Sequence, residues 1–360
     1  MSLSLARQET TSTDWSVELV RGVAAGLVVI AHYGPMTGLN LGPFRFAYTG
    51  VDLFFVLSGF VFAPYLFGKR LSISAHLIRR FFRLYPLYAF ALGCYAALKW
   101  QTGQTGFSVE ILLKHAAFLH TLESREIAFY FNPAFWSLPP EVEFYLLLPL
   151  LAAATAMSPT RWVPIGMLLA VLMHGFLVFL SPPAPGFNFV SVLLVHLPGL
   201  LIEFMLGAMA WRWVRQSLSM KMRLLLAITG VLIWWLLASL FVSLGDAGIE
   251  NIIGLRGNMG LFAACAFAFM LVAWVGAIKQ PPSWLIALAT VAGNLSYGLY
   301  LFHNAAPQVF APYQAALPGP VFALLCLGAT MLFVHVLHRF CEAPCRQFGR
   351  QLAERQGQVG

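Results

Sequence analysis

RGVAAGLVVIAH, residues 21–32, carries a guanidinium and an imidazole at opposite ends of ten mostly aliphatic residues. Neither group is at home in hydrocarbon, where an ionisable side chain costs ~3 kcal/mol or more and marks function or a buried partner. The whole chain shares this apolar character. Of its 360 residues, 59% are hydrophobic and 10% charged, against about 25% charged in soluble domains; the mean hydropathy is +0.77. Too few charges remain to coat a soluble surface, and apolar runs near the ~20 residues of a membrane span recur throughout. The reading is an all-α fold, a polytopic integral membrane helical bundle. The net charge of +8 then belongs to topology and gives no reason to expect a nucleic-acid partner.

Ten transmembrane helices are predicted, at 16–34, 49–68, 82–100, 140–157, 161–181, 190–213, 222–244, 256–278, 286–309 and 319–340. They form one membrane domain, 16–340, between an N-terminal tail, 1–15, and a C-terminal tail, 341–360. The fourth span is short, and 103–135 before it reads as an amphipathic stretch lying on the membrane surface. Trp100, Trp136, Trp162, Trp211, Trp213 and Trp284 fall near the proposed ends, as an aromatic belt requires. With the N-terminus inside, sixteen Lys and Arg lie in inner segments and five in outer ones, Arg21 remaining within a span. The positive-inside rule therefore puts both termini in the cytoplasm. No A-x-A-like site follows the first apolar run, which reads as a retained span rather than a cleaved leader. No internal repeat of the transporter kind is visible. The five cysteines (Cys94, Cys265, Cys326, Cys341 and Cys345) fit neither a metal spacing nor a disulfide framework.

Eleven positions separate Arg21 from His32. At ~100° and 1.5 Å per residue they return to nearly one helix face, ~16 Å apart along the axis. Alone, the pair could be a snorkelling arginine and a histidine satisfied by a carbonyl. Other polar groups fall at matching depths. TGVDLFFVLSGF (49–60) enters from outside with Asp52 at the His32 level, although Asp is also a good N-cap. LIRRFFRLYP (77–86) sets Arg80 and Arg83 on one face of the inner mouth, where they can grip phosphates or simply supply positive-inside charge. FWSLPPEVEFYLLLP (135–149) brings Glu141 to the His32 level, where it also suits the positive end of its helix. GNLSYGLYLFHNAAP (293–307) carries Asn294, Ser296 and Tyr297 through mid-span and His303 and Asn304 toward the outer leaflet. Glu203 in span six reads equally well as a structural partner.

Acidic and imidazole groups thus gather in the outer half and arginines at the inner mouth. A long substrate, anionic at one end and reactive at the other, matches that layout, and a coenzyme A thioester has this shape. In acyl transfer, neutral His32 would act as general base on an acceptor hydroxyl. Asp52 or Glu141 would orient its imidazole, and Asn294, Ser296, Tyr297 or Asn304 would donate to the oxyanion. Trp136, Tyr48 and Tyr130 could stack on sugar rings or belong to the aromatic belt. Two other classes stay open. One is an intramembrane serine hydrolase using Ser58 with His32 or His303, although Ser58 lies ~9 Å deeper than Asp52 and Ser-Gly pairs also serve helix packing. The other is a glycan or lipid transporter without chemistry.

Six stretches in order carry a resemblance. Arg-x10-His in span one, GVDLFFVLSGF, RRFFRLYP, WSLPPEVEFY, SYGLYLFH and the closing EAP (342–344) resemble the acyltransferase-3 family of membrane O-acyltransferases. The resemblance runs from span one to the end of span ten. It implies transfer of an acyl group, commonly acetyl, from cytosolic acyl-CoA such as acetyl-CoA to a hydroxyl of an extracytoplasmic or lipid-linked glycan. It implies no metal ion, a place in the bacterial cytoplasmic (inner) membrane, and membrane lipids, acyl-CoA and a glycan or glycolipid acceptor as partners. It marks Arg21 and His32 as the signature pair and Arg80 and Arg83 as the arginine motif of the third span. Two departures stand out. Pro139 and Pro140 precede Glu141 where a smoother helical entry is expected, and no esterase-like domain follows the tenth span.

Overall fold

The structure is a computed structural model that describes residues 3–101, 106–182, 187–252 and 254–357; the side chains of 3–14 and 246–247 lie outside that description. Among the described residues the regular elements are helices: α1 (Leu3–Thr37), α2 (Gly50–Leu66), α3 (Ile73–Gln101), α4 (Val109–Ala116), α5 (Arg125–Ala128), α6 (Leu138–Thr155), α7 (Pro159–Leu180), α8 (Phe189–Val195), α9 (Leu197–Val214), α10 (Met220–Glu250), α11 (Met259–Trp274), α12 (Ser283–Phe302), α13 (Ala305–Phe310), α14 (Gly319–Leu337) and α15 (Ala343–Gly357). Eight helical stretches are long and apolar enough to cross a bilayer. The chain is a multi-pass membrane protein.

Eight of the ten expected spans fall on these stretches, and the other two, at α6 and α11, fall short of them. Helix α6 is diluted by Glu141, Glu143 and three prolines. Helix α11 has 16 residues, ~24 Å of rise against a ~30 Å hydrocarbon core. Helix α10 loses its helical course at Gly245, whose φ of 66° lies in the left-handed region that favours glycine.

Packing sorts the helices into a centre and a rim. Helices α2 and α9 form a central pair, with twelve of seventeen and ten of eighteen residues buried. Their backbones touch because both carry glycine at the crossing. A Cβ on Gly59 would lie 1.8 Å from the Phe204 carbonyl oxygen, and one on Gly207 would lie 1.9 Å from that of Val56. Such close approach through small residues is the ordinary membrane solution, since lipid supplies no hydrophobic drive between helices. Beside this seam Phe144 of α6 stacks on Phe204 at 4.1 Å. Helices α7 and α10 turn Leu168, Leu172, Phe176, Leu225, Leu232 and Leu236 outward, an apolar rim suited to lipid tails.

One segment differs from the sequence reading. Of the expected surface stretch 103–135, residues 103–105 lie outside the described part; the remainder wedges into the bundle instead of lying flat. Phe118 stacks on Tyr88 of α3 at 4.8 Å, and buried Asn132 donates to the Leu301 carbonyl of α12 at 3.0 Å. Apolar and amide groups on opposite faces of this stretch find partners in α3 and α12, which a single-helix pattern does not reveal. The expected N-terminal tail is helical from Leu3. The expected C-terminal tail is α15, set off from α14 by one π-helical turn, His338–Glu342, and packed on α3 with Phe348 edge-on to Phe82 at 5.2 Å.

Candidate active site

Five helices build one internal cavity. Its wall holds Arg21 of α1, Ser58 of α2, Arg80 and Arg83 of α3, Glu141 and Tyr145 of α6, and Ser296, Tyr297 and Tyr300 of α12. Arg80 and Arg83 share a helix face through their i,i+3 spacing. The Arg80 guanidinium rests over the rings of Phe62 at 5.0 Å and Tyr145 at 5.7 Å, and its buried Nε has no hydrogen-bond partner. Arg21 pairs with Glu18 one turn away. The C-terminal elements add charge at this end: Arg346 bonds the buried Glu342 at 3.4 Å, and His338 bonds it at 3.0 Å. Three guanidinium groups and one carboxylate therefore line the cavity, and an anion is the ligand that would balance them.

Glu141 lies deeper than the sequence implies. It accepts hydrogen bonds from Tyr145 and, at 3.4 Å, from Ser58, so it sits at the Ser58 level with the arginines and away from His32. The wedge at 132–137 causes this. Asn132 is held inside the bundle, so α6 starts below the surface, and its early prolines occupy a first turn whose N–H groups need no helical partner. The bond from Ser58 to Glu141 also leaves the serine without the histidine a hydrolase needs.

The far end of the cavity closes on aromatic rings. Phe54 and Tyr300, both in its wall, meet at 5.6 Å. The Tyr300 hydroxyl donates to the Ala134 carbonyl at 2.5 Å and meets the Ser137 hydroxyl at 2.5 Å. Just past the end of α12, His303 has its ring 6.3 Å from that of Tyr300 and 4.8 Å from that of His32. The structure thus unites His32 with His303, as their depths imply, on the other side of Tyr300 from the arginine cavity.

Neither expected carboxylate holds the His32 ring. Its Nδ1 is taken by the Val28 carbonyl at 2.8 Å. Asp52, buried in the first turn of α2, is hydrogen-bonded to Glu203 of α9, the partner from span six. The expected oxyanion donors are largely engaged as well. Ser296 donates to the Gly293 carbonyl at 2.8 Å, Tyr297 to that of Leu84 at 2.8 Å, and Asn304 to Asn132 at 2.7 Å; Asn294 does not line the cavity. Tyr145, Tyr300 and Asn132 were not singled out in the sequence. Of these, Tyr145 had a signal, its i,i+4 spacing from Glu141. Among the described residues no group of three or more His, Cys, Asp or Glu side chains is placed to hold a metal ion.

An arginine-lined cavity inside a helical membrane bundle, ending beside the His32–His303 pair, is the setting in which the relatives can be compared. Residues 14–339 match the sequence profile of acyltransferase family 3, described as an acyltransferase domain. The chain belongs to that family and is a membrane acyltransferase. It is 24% identical over 294 residues to ORF330 of the Acidianus two-tailed virus, a protein named as an acetyltransferase, covering 81% of this chain and 82% of the relative. It is 43% identical over 83 residues to a Rhizobium radiobacter protein named Protein 2 in picA locus, covering 22% of this chain and 41% of that one. It is 25% identical over 387 aligned positions to the peptidoglycan O-acetyltransferase OatA of Listeria monocytogenes, covering 93% of this chain and 56% of OatA. The chain therefore spans most of the viral relative and about half of OatA. No solved structure matches it.

Proposed function

We propose that this acyltransferase moves an acyl group, acetyl foremost, from cytosolic acyl-CoA to a hydroxyl of an extracytoplasmic or lipid-linked glycan. In this reading it sits in the bacterial cytoplasmic membrane with both termini inside. The observation that carries the reading is the grouping of Arg21, Arg80 and Arg83 around one cavity, with the Arg80 Nε buried and unpartnered. Planar guanidinium groups recognise phosphate oxygens in pairs, and a buried excess of them calls for an anion. The nucleotide end of CoA fits that demand. Its extended arm would then follow the α12 face past Tyr297 toward Tyr300, bringing the thioester to the histidine end.

There His32 is the general base. Its Nδ1 proton is fixed by the Val28 carbonyl, which leaves Nε2 as the lone pair that takes the hydroxyl proton. Glu141 keeps its place as a site residue in a changed role. Through Tyr145 it steadies the ring on which Arg80 rests, and it balances part of the arginine charge. Asp52, bonded to Glu203, is read as part of the α2–α9 seam. The name of OatA supports an acetyl group and a glycan acceptor.

The test is CoA release by purified protein in liposomes. Acetyl-CoA supplied with glycan acceptors should yield free CoA and O-acetylated glycan, and CoA release should depend on the acceptor. Movement of glycan across the membrane without acetyl-CoA consumption would instead indicate a transporter.

A further inference from the structure

Two nitrogens at the histidine end need a reason beyond packing. His32 Nδ1 meets the Val28 carbonyl at 2.8 Å, and His303 Nδ1 meets the Tyr300 carbonyl at 2.8 Å. A carbonyl only accepts, so each Nδ1 carries the proton and each Nε2 presents a lone pair. The Nε2 of His303 is buried with no hydrogen-bond partner, on a residue with no exposed surface. A bare buried acceptor destabilises the fold, a penalty that a phenylalanine at the same place would avoid.

The main chain that carries this ring is also held in place. Tyr33 of α1 donates to the His303 carbonyl at 2.6 Å, and the Thr330 hydroxyl of α14 lies 3.3 Å from the Tyr33 oxygen. Against this ring His32 stands edge to face, 4.8 Å between centroids and 61° between planes. The other titratable groups around the pair are Tyr33 on α1, Tyr300 on α12 and Cys326 on α14. None of these is a carboxylate, and Asp52 and Glu141 have their bonds elsewhere.

We propose that His303 is the positioning and proton-sharing partner of His32, in the place a carboxylate takes in a hydrolase triad. The proposal rests on the acyl-transfer reading above. The acceptor oxygen attacks the thioester carbonyl carbon while its proton moves to His32 Nε2. The new C–O bond forms, the C–S bond breaks, and CoA leaves as thiolate, recovering the proton as thiol. Between these events the two rings hold one positive charge. The ring of His303 stabilises it, and like-charge repulsion limits the pair to one proton beyond the two on the Nδ1 atoms. No covalent bond to His303 forms.

Two variants test this, His303→Phe and His303→Gln. The first keeps a buried ring and removes the bare acceptor; the second keeps a polar group that cannot share a proton. Both should fold, with His303→Phe melting no lower than wild type, and both should bind CoA normally. Acyl transfer should fall 10- to 100-fold, and the acid limb of kcat/KM should move to lower pH by about one unit. Wild-type rate with an unmoved limb in either folded variant overturns the proposal. So does a loss of activity that merely tracks the folded fraction. If the wild-type protein releases no CoA with acceptor present, the acyl-transfer reading fails and takes this inference with it.

Discussion

Asp52 of α2 and Glu203 of α9 hydrogen-bond to each other inside the bundle, and Glu203 Oε2 has no further partner. A bond between two carboxyl groups needs a proton on one of them. Asp52→Asn can make the same bond and should leave folding and acyl transfer near wild type. Asp52→Ala strips Glu203 of its partner and should cost ~1–3 kcal/mol, read as a lower melting temperature in detergent. If Asp52 orients His32 instead, Asp52→Asn will stay folded and lose transfer.

The glycine crossing sets the spacing of the centre. With backbone oxygen 1.8 Å from a Cβ at Gly59 and 1.9 Å from one at Gly207, either helix must move to admit a methyl group. Gly59→Ala and Gly207→Ala should each destabilise by several kcal/mol, as overpacking of a fixed core does, and yield little folded protein on size-exclusion chromatography. Gly26, with nothing within 4 Å of its Cβ position, is the matched control, and Gly26→Ala should fold normally.

The arginine cavity makes a separable claim about the donor. Arg83→Gln should weaken CoA binding 10-fold or more and flatten its dependence on salt, because one charge-assisted contact is lost. Titration calorimetry with CoA and with pantetheine, which lacks the phosphates, checks this. Pantetheine affinity should be the same in both proteins.

A pH effect is expected where the wedge packs against the bundle. His115 and His120 stack at 4.2 Å with ring planes 10° apart, both fully buried. Burial pushes His115 down to about 4, and burial together with nearby His115 and His196 pushes His120 down to about 3. Their unfolded values lie near 6.5, so below that pH the unfolded form binds more protons. Stability present above about pH 6.5 is therefore lost on acidification toward pH 4 and 3, by up to ~1.4 kcal/mol per pH unit for each histidine. Hydrogen exchange, corrected for intrinsic rates, should show weaker protection of 109–137 at pH 5 than at pH 7. Equal protection at both would contradict it.

Much of this layout was legible in the sequence, and the exceptions have physical causes. The 3.6-residue period fixes Arg21 and His32 on one face and Arg80 with Arg83 on another, because those relations lie within single helices. The arginine cavity and the His32–His303 contact follow from depth, which hydropathy supplies. Glu141 was misplaced because depth was counted from the surface, and nothing local announces that Asn132 draws the start of α6 inward. The Asp52–Glu203 bond was hidden for a related reason. The order of packing between α2 and α9 is a tertiary fact, written only faintly in Gly59 and Gly207. Which hydroxyls spend their protons on carbonyls, as Ser296 and Tyr297 do, depends on positions finer than any sequence period resolves.

The central claim is that His32 removes the acceptor proton, and one variant tests it most directly. CoA release from acetyl-CoA should be measured with acceptor present in His32→Ala, beside CoA binding by the same preparation. Unchanged binding with transfer lowered ~10²- to 10⁴-fold is the expected result. Transfer at the wild-type rate would contradict the account.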